Sequence, residues 1–195
     1  MSLARSTSYV RAPFARRFAG LAGRRALWIA AVVMVAFGVA ELPALARMSS
    51  HGTGVLGFEF AGTTQRVRVI LTRWGSEGLA GARQHVLIDL GFIVGYGVLL
   101  LGVCARLSGR FQDGGHARAA AAAALLAWAV LIAAAVNALQ KLVLWFETHG
   151  HVGQPLPALA AACGGMTLAL TVSAALFAIF GTLVLRRMPF AQSVR

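Results

Sequence analysis

Charge is scarce in this chain: Asp, Glu, Lys and Arg make up 12% of its 195 residues, against 58% hydrophobic ones. An ordinary soluble domain is about 25% charged and about 45–50% apolar. Together with a mean hydropathy of +0.74, that shortage excludes a soluble globular domain and reads as an integral membrane protein. Cysteine is almost absent too, with only two. Cys104 falls near the inner end of the second apolar run and Cys163 near the outer end of the fourth, which separates them in depth by roughly 20 Å. A disulfide spans only about 7 Å between Cα atoms, so none forms between them, and CxxC redox chemistry is excluded as well. Both read as small apolar packing residues.

The motifs of well-known chemistries are missing as well. There is no phosphate loop, dinucleotide fingerprint or metalloprotease helix. Thr167, Thr171 and Ser173 have no histidine base at equal depth, which leaves nucleophilic catalysis without its partner. Intramembrane haem needs histidines well inside facing helices, and none is there. Zinc or copper would have to draw on His149-x-His151 with Glu147, or on His85. Loop histidines are more often solvated than ligating, so no metal and no cofactor are expected, with His85, His149 and His151 as the candidates should that fail.

What is abundant is apolar length. Four segments reach the roughly 20 residues that a span needs: about 26–46, 85–106, 118–146 and 157–185. The expectation is an all-α, integral membrane, antiparallel four-helix bundle, a single membrane domain over 1–195. Gly91 and Gly95 form a GxxxG pair that reads as a helix-packing surface. The net charge is +12, and twelve of the seventeen arginines sit at the cytoplasmic flanks expected for these spans. Arg5, Arg11, Arg16, Arg17, Arg24 and Arg25 precede the first, Arg106, Arg110 and Arg118 separate the second and third, and Arg186, Arg187 and Arg195 follow the fourth. That is a positive-inside signature, which places both termini in the cytoplasm of a bacterial inner membrane and argues against nucleic acid as a partner.

Residues 1–25 form a basic arm in which Phe14, Phe18 and Leu21 recur at helical spacing, suited to an amphipathic helix on the anionic inner leaflet. The same stretch has the composition of a mitochondrial presequence, so a mitochondrial inner membrane is the alternative location. Ala44-Leu45-Ala46 resembles a signal-peptidase site behind an apolar core, but an uncleaved anchor is the expectation.

The segment between the first and second spans, 47–84, is by far the longest connection and too long to be idle. Within it Thr63 or Thr64 caps a predicted helix that runs to Trp74, with Val67, Ile70, Leu71 and Trp74 on one face and Arg66, Arg68 and Arg73 elsewhere. Gly75 and Gly78 are its predicted stops. This is expected to be an amphipathic helix on the outer surface, either lidding the helices or covering their edges.

Polar residues inside the spans fall in one layer. Counting at 1.5 Å per residue from the outer helix ends, Glu41, Asp89 and Lys141 lie about 6 to 8 Å deep, Asn137 about 13 Å and Tyr96 about 16 Å. His85, Asp89, Phe92 and Tyr96 share one stripe of the second span, and Asn137, Gln140 and Lys141 share one of the third. Lys141 is the chain's single lysine and the only basic residue inside a span, so it needs a carboxylate, with Asp89 or Glu41 at matching depth. Glu41, Asp89, Tyr96, Asn137, Gln140 and Lys141 are therefore the candidate site, which serves either as a ligand or ion site or as a network that fixes helix register.

At Phe58-Glu59-Phe60-Ala61-Gly62-Thr63, Ile70-Leu71-Thr72-Arg73-Trp74-Gly75, and Leu87-Ile88-Asp89-Leu90-Gly91-Phe92 with Tyr96, the chain resembles an uncharacterised bacterial family of four-span membrane proteins. That family shows a Glu-x-Ala-Gly-Thr turn, an outer helix ending in Trp, then Leu-x-Leu-Asp-x-x-Phe and a later Tyr. The resemblance covers about residues 57–100 and implies no activity. Where the family has Asp-x-x-Glu-Asn on the third span, this chain has Asn137, Gln140 and Lys141, which departs from any carboxylate relay. The expected function is non-catalytic: an accessory subunit of a membrane complex, or a binder of a small amphipathic ligand in the outer polar cavity. The alternative is a small membrane enzyme or transporter that uses Glu41, Asp89 and Lys141. The lipid bilayer is the one partner implied throughout.

Overall fold

The structure, a computed structural model, describes Phe18 and residues 20–187. The described chain is all-α, in the order α1 (Arg24–Ser49), α2 (Val55–Glu59), α3 (Thr64–Asp113), α4 (Ala117–Thr148) and α5 (Leu156–Arg187). Four of these, α1, α3, α4 and α5, are long and apolar enough to cross a bilayer. Large apolar side chains such as Trp28, Val32, Val39, Leu125, Leu168 and Phe180 stand exposed along them. A water-soluble protein does not leave apolar surface on that scale uncovered, whereas hydrocarbon solvates it. The chain is a membrane protein.

The apolar helices extend beyond the predicted span limits. α1 continues to Ser49, and the helix that carries Asp89 begins at residue 76 rather than near 85. The reason is Gly75. With φ 56° and ψ −157° it takes a backbone shape that only glycine adopts readily, and it breaks α3 into a first part, 64–74, and a long second part, 76–113. Gly78, the other predicted stop, lies inside the second part with Trp74 packed against it.

The first part of α3 is the predicted amphipathic helix. Thr63 is its cap: its Oγ1 accepts the Arg66 backbone N–H at 3.3 Å. Val67, Ile70 and Trp74 are buried, while Arg66, Arg68 and Arg73 are exposed. Trp74 stacks edge-on against Phe58 of α2 at 4.9 Å between ring centroids, and its indole N–H donates to the Thr53 carbonyl at 2.8 Å. That bond satisfies the one polar atom of an otherwise fully buried ring.

Two compact units divide the chain. The first combines Ala30–Tyr96 with Ile132–Ala169. Its core joins Met48, Phe58, Val67, Ile70, Trp74, Val86 and Leu144, so the connecting segment contributes to the same core as the long helices. The GxxxG pair is a contact surface here. A Cβ on Gly91 would fall 2.2 Å from the Phe37 ring, and one on Gly95 would fall 2.7 Å from the Met34 backbone nitrogen. Those two glycines let α1 lie directly on α3.

The second unit combines Gly97–Leu131 with the described residues before Ala30 and after Ala169. Its clusters pack Leu107, Phe111, Leu101 and Cys104 against the small residues Ala120, Ala123, Ala127 and Ala174. Among the described residues Ser108 is a buried polar side chain of this unit, and its hydroxyl donates to the Ala120 carbonyl at 2.9 Å. Of the basic arm, residues 1–17 and 19 lie outside the described residues, Phe14 among them. Phe18 and Leu21 pack against the buried cluster of Leu101, Cys104, Ala127, Val130 and Ala174.

Candidate functional site

Helical spacing aims a set of polar side chains inward within the first unit. On α3, His85, Asp89 and Tyr96 are buried, on α4 Gln140 and Lys141, and on α1 Glu41. The structure sorts the predicted layer into two groups.

The larger group forms around Lys141, which is 3% exposed. Its ammonium lies 2.8 Å from Asp89 Oδ2 and also pairs with Glu59 Oε1. Glu59 is the last residue of α2, so a side chain from the connecting segment supplies the second carboxylate. His85 stands between the acids, with Nε2 3.5 Å from Glu59 Oε1 and Nδ1 3.7 Å from Glu41 Oε1. The same Nε2 is 3.4 Å from Lys141 Nζ. A neutral imidazole with its proton on Nδ1 accepts from Lys141 there, whereas an imidazolium turns an N–H toward each glutamate. Three carboxylates, one ammonium and one imidazole thus share a single buried space, contributed by four helices.

Burial alone would push the Glu59 carboxyl up. The His85 hydrogen bond and the Lys141 charge outweigh it and hold Glu59 below the ordinary value of 4.5, so it is ionised at neutral pH. A buried ion pair must offset the cost of leaving water through good geometry and several partners, and Lys141 has both.

The smaller group lies further along the same helices. Asn137 Nδ2 donates to the Tyr96 hydroxyl at 3.1 Å and links α4 to α3. Gln140 packs under Gly164 of α5: a Cβ there would come within 2.7 Å of the Gln140 amide nitrogen and 3.2 Å of the Phe60 ring. Phe60 therefore reaches α5, just as Glu59 reaches α4.

Depth within the spans does not point to Glu59. Counting helical rise assigns a depth only to residues within a span, and Glu59 sits on a five-residue helix outside the spans. Two signals were available. The chain's single lysine needs acids from a total of six, and Glu59 opens the Glu-x-Ala-Gly-Thr turn. The other residues of that resemblance have local work as well: Thr63 caps, Trp74 seals the core and Asp89 pairs with Lys141.

The loop histidines behave differently. Gly150, at φ 89°, closes α4 by letting the His151 N–H reach the Phe146 carbonyl at 3.1 Å and its own N–H reach that of Glu147 at 3.0 Å. That turn leaves His149 and His151 exposed while Glu147 is fully buried. His149 Nδ1 donates to the Trp145 carbonyl at 2.8 Å, and the His151 ring packs against Phe146. Among the described residues no group of three or more His, Cys, Asp and Glu is arranged to hold a metal ion. His85 instead joins the carboxylates around Lys141.

Comparison with known protein families, curated proteins and solved structures returns no match for this chain.

Proposed function

We propose that this is a non-catalytic accessory subunit of a membrane complex, held in a bacterial inner membrane with both termini cytoplasmic, whose connecting segment is the surface offered to its partner. One observation carries the reading: the Lys141 ammonium and the carboxylates of Asp89 and Glu59 are spent on internal pairing. Lys141 is satisfied by Asp89 and Glu59, and Glu59 ties the connecting segment to α3 and α4. A charged network so used fixes one arrangement of the segment, which is what a recognition surface requires.

The distribution of charge supports this reading over the transporter alternative. The buried charged residues of the described chain, Glu41, Asp89, Lys141 and Glu147, belong with His85 to the first unit. Among the described residues the second unit buries no charged side chain; the Ser108 hydroxyl is bonded and the Thr171 hydroxyl oxygen is enclosed without a partner. Transport sites sit near the bilayer midplane with polar groups leading away on both sides.

The exposed side of the segment offers Arg68, Arg73 and Glu77 to a partner. Purification from the native membrane in mild detergent tests the proposal. A second chain in stoichiometric amount is expected, and recovery of the lone chain contradicts it.

A further inference from the structure

A groove of about 500 Å³ runs between the stretch that carries α2 and the first part of α3, lined by Gly57 and Ala61 on one side and Gln65, Arg66 and Val69 on the other. That volume falls within the roughly 300–1,000 Å³ range of small-molecule sites. Its chemistry is two-sided. Arg66 brings a guanidinium that has no carboxylate partner among the described residues, in contrast to Arg83, whose Nη2 is held by the Thr148 carbonyl at 2.9 Å. The two acids of the surrounding segment do not neutralise it: Glu59 is committed to Lys141 and His85, and Glu77 lies beyond the break at Gly75. Ala61 and Val69 make the remaining wall apolar, and Leu56 and Phe60, which precede Gly57 and Ala61 in the chain, are 67% and 39% exposed.

Depth says what lies next to those side chains. Lys141, which holds Glu59, is seven residues from the end of α4 at Thr148, or roughly 10 Å along the helix axis. Gly164, which touches the Phe60 ring, is eight residues from the start of α5, or roughly 12 Å. The C-terminal end of α2 therefore lies below the ends of two apolar helices, at the level where a bilayer places glycerol and the first methylenes.

We propose that this groove binds a phospholipid with an anionic headgroup, its phosphate on the Arg66 guanidinium and the upper part of an acyl chain along Val69 and Ala61. Arginine is suited to this because its planar fork meets a phosphate through two parallel N–H bonds. The site goes beyond a subunit role and does not depend on it, since a lone chain would hold the lipid equally well.

Native mass spectrometry of the detergent-purified full chain, titrated with phosphatidylglycerol and in parallel with phosphatidylcholine and oleate, tests the site. One phosphatidylglycerol per chain is expected, retained at least about tenfold better than phosphatidylcholine. Arg66→Gln and Val69→Trp should each lower that retention about tenfold or more, and Arg68→Gln, outside the groove, should leave it unchanged. Unchanged melting temperature identifies variants that remain folded, and Arg66→Gln, a surface change, carries the test if Val69→Trp does not fold. Equal retention of the two phospholipids, undiminished retention by Arg66→Gln, or preference for oleate over phosphatidylglycerol would each overturn the proposal.

Discussion

Lys141 Nζ lies 2.8 Å from Asp89 Oδ2, and the same ammonium pairs with Glu59. One lysine thus answers two carboxylates, and the consequence is unequal sensitivity to mutation. Lys141→Met leaves Glu41, Glu59 and Asp89 facing one another without their ammonium and is expected to cost about 3–5 kcal/mol. Asp89→Asn leaves Lys141 its pair with Glu59, so about 1–3 kcal/mol is expected. Thermal or denaturant unfolding of the two variants in detergent checks the order. Equal losses would mean that the second carboxylate contributes nothing.

The pH dependence follows from Glu59. Its folded value lies below the ordinary 4.5, so its contribution is present above about that pH and is lost as pH falls through the lower folded value. The melting temperature of the wild type should therefore drop more steeply below about pH 4.5 than that of Glu59→Gln, which has no such proton to bind. Parallel melting curves for the two proteins down to pH 3 would contradict the assignment.

Close packing of α1 on α3 predicts two different responses to the same small change. Gly91→Ala meets the Phe37 ring, a side chain that can be removed, whereas Gly95→Ala meets the Met34 backbone. Each is expected to destabilise by about 1–3 kcal/mol, the usual penalty of overpacking. Adding Phe37→Ala should restore part of the loss for Gly91→Ala and none for Gly95→Ala. Melting temperatures of the four variants decide it, and rescue of both would place α1 further from α3.

The long helices were legible in the sequence because apolar length and flanking arginines are properties of contiguous residues. The amphipathic face of 64–74 was legible for the same reason, since Val67, Ile70 and Trp74 declare it by spacing alone. Equal depth and a single lysine narrow its partner to Asp89 or Glu41, and the fold pairs it with Asp89. What the sequence concealed was long-range. Nothing local says that Glu59, 82 residues before Lys141, folds back between the helices. Nor does local pattern say that His85 is held among carboxylates while His149 and His151 stay outside. Gly75 and Gly78 look alike as helix stops, yet Gly75 turns the chain while Gly78 packs against Trp74 inside the helix.

The reading as an accessory subunit rests on a connecting segment that Glu59 holds in place for a partner. Its most direct measurement is purification from the native membrane in mild detergent, run side by side for the wild type and Glu59→Gln, with subunit stoichiometry read by native mass spectrometry. The account predicts a second chain in stoichiometric amount with the wild type, and its depletion, roughly tenfold or more for a bond to a charged group worth about 1.5–3 kcal/mol, with the folded variant. A wild-type protein that emerges alone, or a partner retained equally by both, would contradict it.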